Sequence, residues 1–392
     1  MKSLSLFFMT LFVTLTFFGC KDDSTVSESA EDLVEEKNDD PQPEPLTEEQ
    51  LIHDRIGKFL AGIELGNIGN ESPFDQEQWS AHSNQLEENW GKMESTRLTP
   101  MSNWVNQKIN PVINDTLPLL YPYSGPDFLH ANYLFPDASS YVMMALEPIG
   151  DLPDFSSISQ EKMDNYLKNI NRFLRDIYRR SYFITKNMEG DVDTSAVNGI
   201  LPVLYVFIER SDYQILNVER VGLSSSGEIV PKAEGVSKKL DGVRFSIMQN
   251  GSTKRKELVY WDCDISNSGF ENTPELAMYL SKLPTGNAFM KSASYLMHYG
   301  TFSQMRELVM KKSEAILEDD TGIPYKYFKP AEWTPNLYGK YTKPIADFQA
   351  RLWQEDLQFA YDSTDQYSGT LPFSLGYHWG DGVQNYMIYF KK

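Results

Sequence analysis

Residues 117–150, LPLLYPYSGPDFLHANYLFPDASSYVMMALEPIG, decide the fold. Positions 117–123 form a short apolar run between Asp115 and Ser124-Gly125, the pattern of a strand covered on both faces. Pro126 suits a first helical position, because it lacks the N–H that would go unpaired there. Phe128, Leu129, Ala131 and Leu134 then give a brief helical face. Phe135-Pro136-Asp137-Ala138 reads as a turn, and 141–146 as a second buried strand running into Glu147. Strand, turn, helix and strand in this span make a crossover unit with parallel strands.

Outward from that unit, the chain alternates helical and strand periods. On the N-terminal side, Thr47 and Gln50 form a capping box, and Ile52, Ile56, Phe59, Leu60 and Ile63 share one helical face. Trp79, Leu86, Trp90 and Met93 outline a second helix, and 98–109 a third around Trp104, with the tryptophans as packing anchors. On the C-terminal side, Met163, Tyr166, Leu167, Ile170, Phe173, Leu174 and Ile177 repeat at three and four behind the candidate N-cap Ser159. Residues 199–208 read as a buried helix. From Tyr213 the period becomes two, giving a meander over 213–223, 228–232, 243–248 and 258–263 with a turn at Asn250-Gly251. Helices are expected from Thr273, over 291–299 and 301–313, and through Ile345, Phe348, Leu352 and Phe359. The end, 371–390, reads as a hairpin around Gly380-Asp381-Gly382. The fold class expected is α/β: a mixed sheet flanked by helices, with a degenerate Rossmann-like arrangement as one form of it, a helical lead-in at 47–111 and a C-terminal hairpin.

The 117–150 unit resembles the first half of an S-adenosylmethionine-dependent methyltransferase. There a glycine-rich turn follows the first strand and an acid ending the second holds ribose hydroxyls; Glu147 matches that acid, while the turn here departs from the family with Gly125 as its one glycine. Asp127 already satisfies the dipole of the short helix and repels a phosphate, so no cofactor is predicted. The body as a whole, through YSGPDFLHANYLFPDA, KSASYLMH and PFSLGYHW, resembles an uncharacterised family of bacterial envelope proteins.

The address is written in the first residues. Lys2 precedes an apolar run over 4–18, too short for a bilayer span and right for a signal-peptide core. Phe17-Phe18-Gly19-Cys20 resembles the lipobox of bacterial lipoproteins. The resemblance implies a signal peptide over 1–19 and acylation of Cys20, palmitate included. Several chains at about 0.8 kcal/mol per buried methylene make a near-permanent anchor. Lys21-Asp22-Asp23 resembles a surface-export tag behind such cysteines, which implies outer-membrane display, with periplasm-facing attachment as the alternative. Residues 20–46 form an acidic tether too poor in apolar groups to order itself. Over 21–50, twelve acids stand against Lys21 and Lys37, about half of the chain's net charge of −19. That balance excludes nucleic acid as an expected partner, because binding it needs a basic footprint.

Motifs for chemistry are sparse. Pocket candidates are Ser124, Asp127, His130 and Glu147 at the edge of the opening unit, with His298 and His378 as acid or base. A zinc site from His130, His298 and His378 is weighed against ordinary structural histidines; HExxH and CxxC patterns are absent. Asp262, Asp264 and Asn267 suggest a cation loop or a polar strand-end turn. Cys263, flanked by two aspartates, reads as a small buried apolar residue. Two functions follow: a lipid-anchored surface protein that binds or scaffolds, contacting glycan or an envelope protein through its aromatics, or an envelope hydrolase or transferase built on the 124–147 edge. A degenerate methyltransferase-like domain lies between them.

Overall fold

The computed structural model describes residues 47–66, 76–183, 197–344, 352–363, 367–378, 380 and 382–392. Eleven strands among them form one sheet. Its centre is β1 (Leu119–Pro122), flanked by β2 (Ser140–Ala145) on one side and β7 (Gly286–Met290) on the other, all parallel. β6 (Arg255–Asp262) lies parallel beyond β2, and β8 (Ser313–Glu318) parallel beyond β7. These five strands run third, second, first, fourth, fifth, which is a doubly wound order with its reversal between β1 and β7.

Antiparallel strands extend both edges. β5 (Asp241–Gln249), β3 (Tyr213–Leu223) and β4 (Ile229–Pro231) continue outward from β6 as the expected meander. β11 (Asn385–Lys391) is wedged antiparallel between β8 and β9 (Trp333–Gly339), and β10 (Tyr367–Gly369) closes that edge. The C-terminal antiparallel pair is present, with a corrected partner. β11 pairs with β9, while the segment before it, expected as the other arm, turns back over the strand ends instead.

Alternation along each strand divides the interior in two. Leu119, Tyr121, Tyr141, Met143, Phe289 and Leu317 face a core shared with α1 (Glu48–Leu60), α2 (Gln76–Met93), α3 (Thr99–Trp104), α4 (Phe128–Leu134), α5 (Gln160–Arg180) and α6 (Leu201–Arg210). Leu120, Val142, Met144, Ala288, Met290 and Ile316 face the other, built with α7 (Asn267–Asn272), α8 (Pro274–Lys282), α9 (Ser303–Lys312) and α10 (Glu355–Asp362). Trp90 and Trp104 are packed in the first core, Trp104 edge-on to Tyr338 and Phe373. Thr47 caps α1 reciprocally with Gln50, and Ser159 accepts from the Lys162 amide at the start of α5.

Several boundaries differ from the sequence reading. Asp127 is the N-cap of α4, with its carboxylate on the His130 amide, and Pro126 lies outside the helix. Glu147 falls just past the end of β2. The helix expected over 291–299 is a strand end followed by a short 3-10 helix, Ser292–His298. The run through Leu352 is not one long helix; 352–354 is irregular and α10 starts at Glu355, while Ile345 and Phe348 lie outside the described residues.

Candidate functional site

In an open parallel sheet, the crevice outside the carboxyl ends of the strands at the reversal is the natural ligand seat. Here that crevice is filled by side chains. Lys291, the residue after β7, places its Nζ 2.9 Å from Asp127 Oδ2 and donates at 2.8 Å to the backbone oxygen of Ser181. The Tyr121 hydroxyl donates to the same carboxylate at 3.0 Å, and His130 Nδ1 lies 2.7 Å from its other oxygen. Asp127, His130 and Lys291 are all buried. Burial alone would raise the Asp127 carboxyl, but His130 and Lys291 overcome it and hold the group ionised. Burial pushes the His130 imidazole down to about 4 despite the attraction of Asp127, so it is neutral at pH 7. Its Nε2 has no hydrogen-bond partner.

Ser181 completes the plug. It caps α5 in the left-handed region at φ 70°, and its Oγ accepts from the Gly376 amide at 3.0 Å. A helix end, a strand end and the segment before β11 therefore meet at one residue. Phe183 lies against Gly125, where an added Cβ would stand 3.7 Å from the ring.

The end of β8 carries three buried acids in succession, Glu318, Asp319 and Asp320. Burial pushes Glu318 well up, and its Oε2 accepts from the Ile323 amide at 2.8 Å. Burial and the neighbouring Asp320 raise Asp319 to about 6. Asp320 lies 3.3 Å from His378 Nε2 and accepts from Asn385 Nδ2 at 3.1 Å. Asp320 thus fastens His378 and β11 to the strand ends, while Glu318 Oε1 is buried with no hydrogen-bond partner among the described residues.

Open space appears one step outward. The segments following β7, β8 and β9 surround a groove of about 1060 Å³. Tyr299, Tyr325, Trp353 and Phe359 supply its aromatic walls, and Lys326, Gln354, Glu355 and Asp356 its polar rim. Trp353 is half exposed and stacks on Tyr341 at 5.7 Å between ring centres, which fixes the indole plane. Gln354 is locked, with Nε2 on the Asp320 carbonyl at 2.9 Å and Oε1 on the Tyr325 amide at 2.8 Å. His298 lines the floor, and its Nε2 is buried with no hydrogen-bond partner among the described residues. Burial holds this imidazole down at about 4, so it is a neutral hydrogen-bonding group.

The residues singled out in the sequence are thus distributed over several places. Asp127 and His130 come together in the plug. Ser124 is buried with its hydroxyl toward the Met144 carbonyl, and a Glu147 carboxylate oxygen stands 3.9 Å from where a Cβ on Gly125 would lie. His378 belongs to the Asp320 anchor and His298 to the groove. Among the described residues no cluster of three or more His, Cys, Asp or Glu is placed to hold a metal. In the 262–269 turn, Asp264 accepts from the Ser266 amide, and Asn267 staples to Gly300, Ser303 and Gln304. Asp262, pushed up to about 7 by burial and by Asp241 and Glu147, stands apart from that turn's hydrogen bonds. Cys263 is buried, and burial raises its thiol. Cys20 lies outside the described residues. Sequence reasoning missed Lys291, Gln354 and Trp353. A lysine directly after an apolar strand was the available sign for the first; the groove residues carry no local pattern.

Compared with known proteins, the chain matches no family model, no curated sequence and no solved structure.

Proposed function

We propose that this chain is a lipid-anchored binding protein of the outer membrane, displayed on the cell surface, which seats a glycan in the groove between Tyr299, Tyr325 and Trp353. One observation carries the reading. The groups suited to acid–base chemistry at the strand ends are consumed in buried pairings, Lys291 with Asp127 and His378 with Asp320, while the open space is walled by aromatic side chains with a polar rim. A sugar ring presents an apolar face to an indole and hydroxyls to its edge. Trp353 offers the first surface; Gln354, Glu355, Asp356 and neutral His298 offer the second. The lipobox-like Cys20 and the acidic tether support the location.

A ligand that prefers the folded state raises its melting temperature. Malto-, cello- and chito-oligosaccharides, divalent metals and nucleotides are screened on the full chain by thermal shift. A rise with a neutral oligosaccharide, accompanied by a change in indole emission that Trp353→Ala abolishes, is the expected result. The variant should melt within about 0.5 kcal/mol of the parent, as a half-exposed side chain allows. A response to nucleotides alone, or a sugar response that survives Trp353→Ala, overturns the proposal.

A further inference from the structure

The chain is acidic throughout its composition, yet one of its surfaces is cationic. Lys168, Arg172, Arg175 and Arg179 follow one another at four, three and four residues along α5, and therefore project as a single stripe. With a rise of 1.5 Å per residue the stripe is about 16 Å long, with one positive charge in roughly every helical turn. Lys92 of α2 lies across a concavity of about 630 Å³ from it. Gln85, Asn89, Thr96, Asn171 and Tyr178 add polar lining, and among the described residues no carboxylate lines it.

Two ordinary explanations account for only part of this. Cations near a helix C-terminus offset the dipole, but that effect fades within the last turn; it covers Arg179 and leaves Lys168, Arg172 and Arg175 unexplained. Surface pairing explains the flanks, where Lys92 meets Glu88 and Lys168 meets Asp164. Arg172, Arg175 and Arg179 have no carboxylate partner among the described residues; Arg172 donates to the Asn169 amide oxygen at 3.2 Å. Beneath them, Asn171 Oδ1 and the Tyr178 hydroxyl are buried without hydrogen-bond partners among the described residues.

We infer that the α2–α5 cleft binds a polyanionic glycan, its sulfate, phosphate or carboxylate groups running along the arginine stripe and its hydroxyls meeting the amides and hydroxyls of the lining. Charges strung along the helix suit a polymer better than a single ion, and planar guanidiniums grip such oxoanions in pairs of hydrogen bonds. A bilayer surface fits less well. None of the exposed large apolar side chains among the described residues belongs to α2 or α5, so the stripe has no apolar companion to enter lipid. The site is separate from the aromatic groove and shares no lining residue with it.

The test uses the full chain with heparin as the polyanionic glycan, neutral dextran as its uncharged control, and phosphatidylglycerol vesicles and duplex DNA as competing polyanions. Heparin should bind at about 50 mM salt and about tenfold more weakly at about 300 mM, because exposed charges are screened over a Debye length. The triple variant Arg172→Gln, Arg175→Gln, Arg179→Gln should lose at least about tenfold in affinity with its melting temperature unchanged. Lys238→Gln with Lys239→Gln, an exposed lysine pair elsewhere, should bind as the parent does. Equal loss in both variants, an unaffected triple variant, or tighter binding to vesicles or DNA than to heparin overturns the inference.

Discussion

At the scale of the residue, the interior holds ionisable groups whose protonation is set by burial, and they act on stability in opposite directions. Glu209 of α6 is buried against Gly57, where an added Cβ would stand 2.6 Å from its carboxylate. Burial, then the neighbouring Asp54, pushes it up to about 9 from 4.5. The folded chain therefore holds a proton there that the unfolded chain releases. That contribution is full below pH 4.5 and is lost as the pH rises toward about 9. His82, His130 and His298 run the other way. Burial lowers each to about 4, so their contribution is full above 6.5 and lost as the pH falls toward 4. Stability should peak in mildly acidic to neutral solution and decline on both sides. Replacing Glu209→Gln should remove much of the alkaline arm, raising stability at pH 9 relative to the parent by about 1–3 kcal/mol. Thermal unfolding of both proteins at pH 6 and pH 9 reads it; parallel alkaline declines would refute the assignment. The sequence shows that Glu209 ends a very apolar helix, but nothing local shows that Asp54 lies beside it.

Among the elements, those with a clear period were legible and those without one were not. α5 announces itself by its three-and-four repeat and its serine cap, and β3 spans the residues its alternation marks. β7, β8 and β9 escaped notice for physical reasons. GNAFM is short and buried on both faces, so it neither alternates nor carries branched residues; SEAILE follows α9 with no breaker between them; WTPNLYG contains a proline and an asparagine. Since Lys291, Asp319 and Asp320 sit at the ends of those strands, their convergence on Asp127 and His378 was out of reach as well. Close approach of backbones is another feature a sequence shows poorly. Gly199, at the entrance to α6, meets the chain after β2, with Leu201 donating to the Ile149 carbonyl at 2.9 Å. A Cβ on Gly199 would stand 2.3 Å from the Gly150 nitrogen, which has no freedom to move away. Gly199→Ala should lower the urea midpoint by the equivalent of about 1–3 kcal/mol, the usual penalty for overpacking. A midpoint equal to the parent's would show that the α6 entrance is loosely held.

For the molecule as a whole, the first residues of the sequence support the proposed address, while HExxH and CxxC patterns are absent from the sequence. The proposed anchoring makes a direct prediction. Wild-type protein should remain in the membrane fraction and carry fatty acid, and Cys20→Ala should release it into the soluble fraction; retention of the variant would remove the anchor from the account. Of the ligand sites, the groove needed the sheet order to be seen, because 298–299, 324–326 and 352–363 are brought together only by it. The α5 stripe is present in the sequence as a spacing, but the cleft it shares with Lys92 emerges only once α2 packs beside it.

The central strand has a consequence for how the molecule is made. Leu119 finds one neighbour in Tyr141, close by in the chain, but its other edge waits for Asn287. A chain delivered from its N-terminus exposes that unpaired apolar border throughout the intervening synthesis. Such a border is a template for aggregation, and late closure makes folding slow. The pairing of β1 with β7 is therefore the step at which assembly of the sheet is most exposed to error.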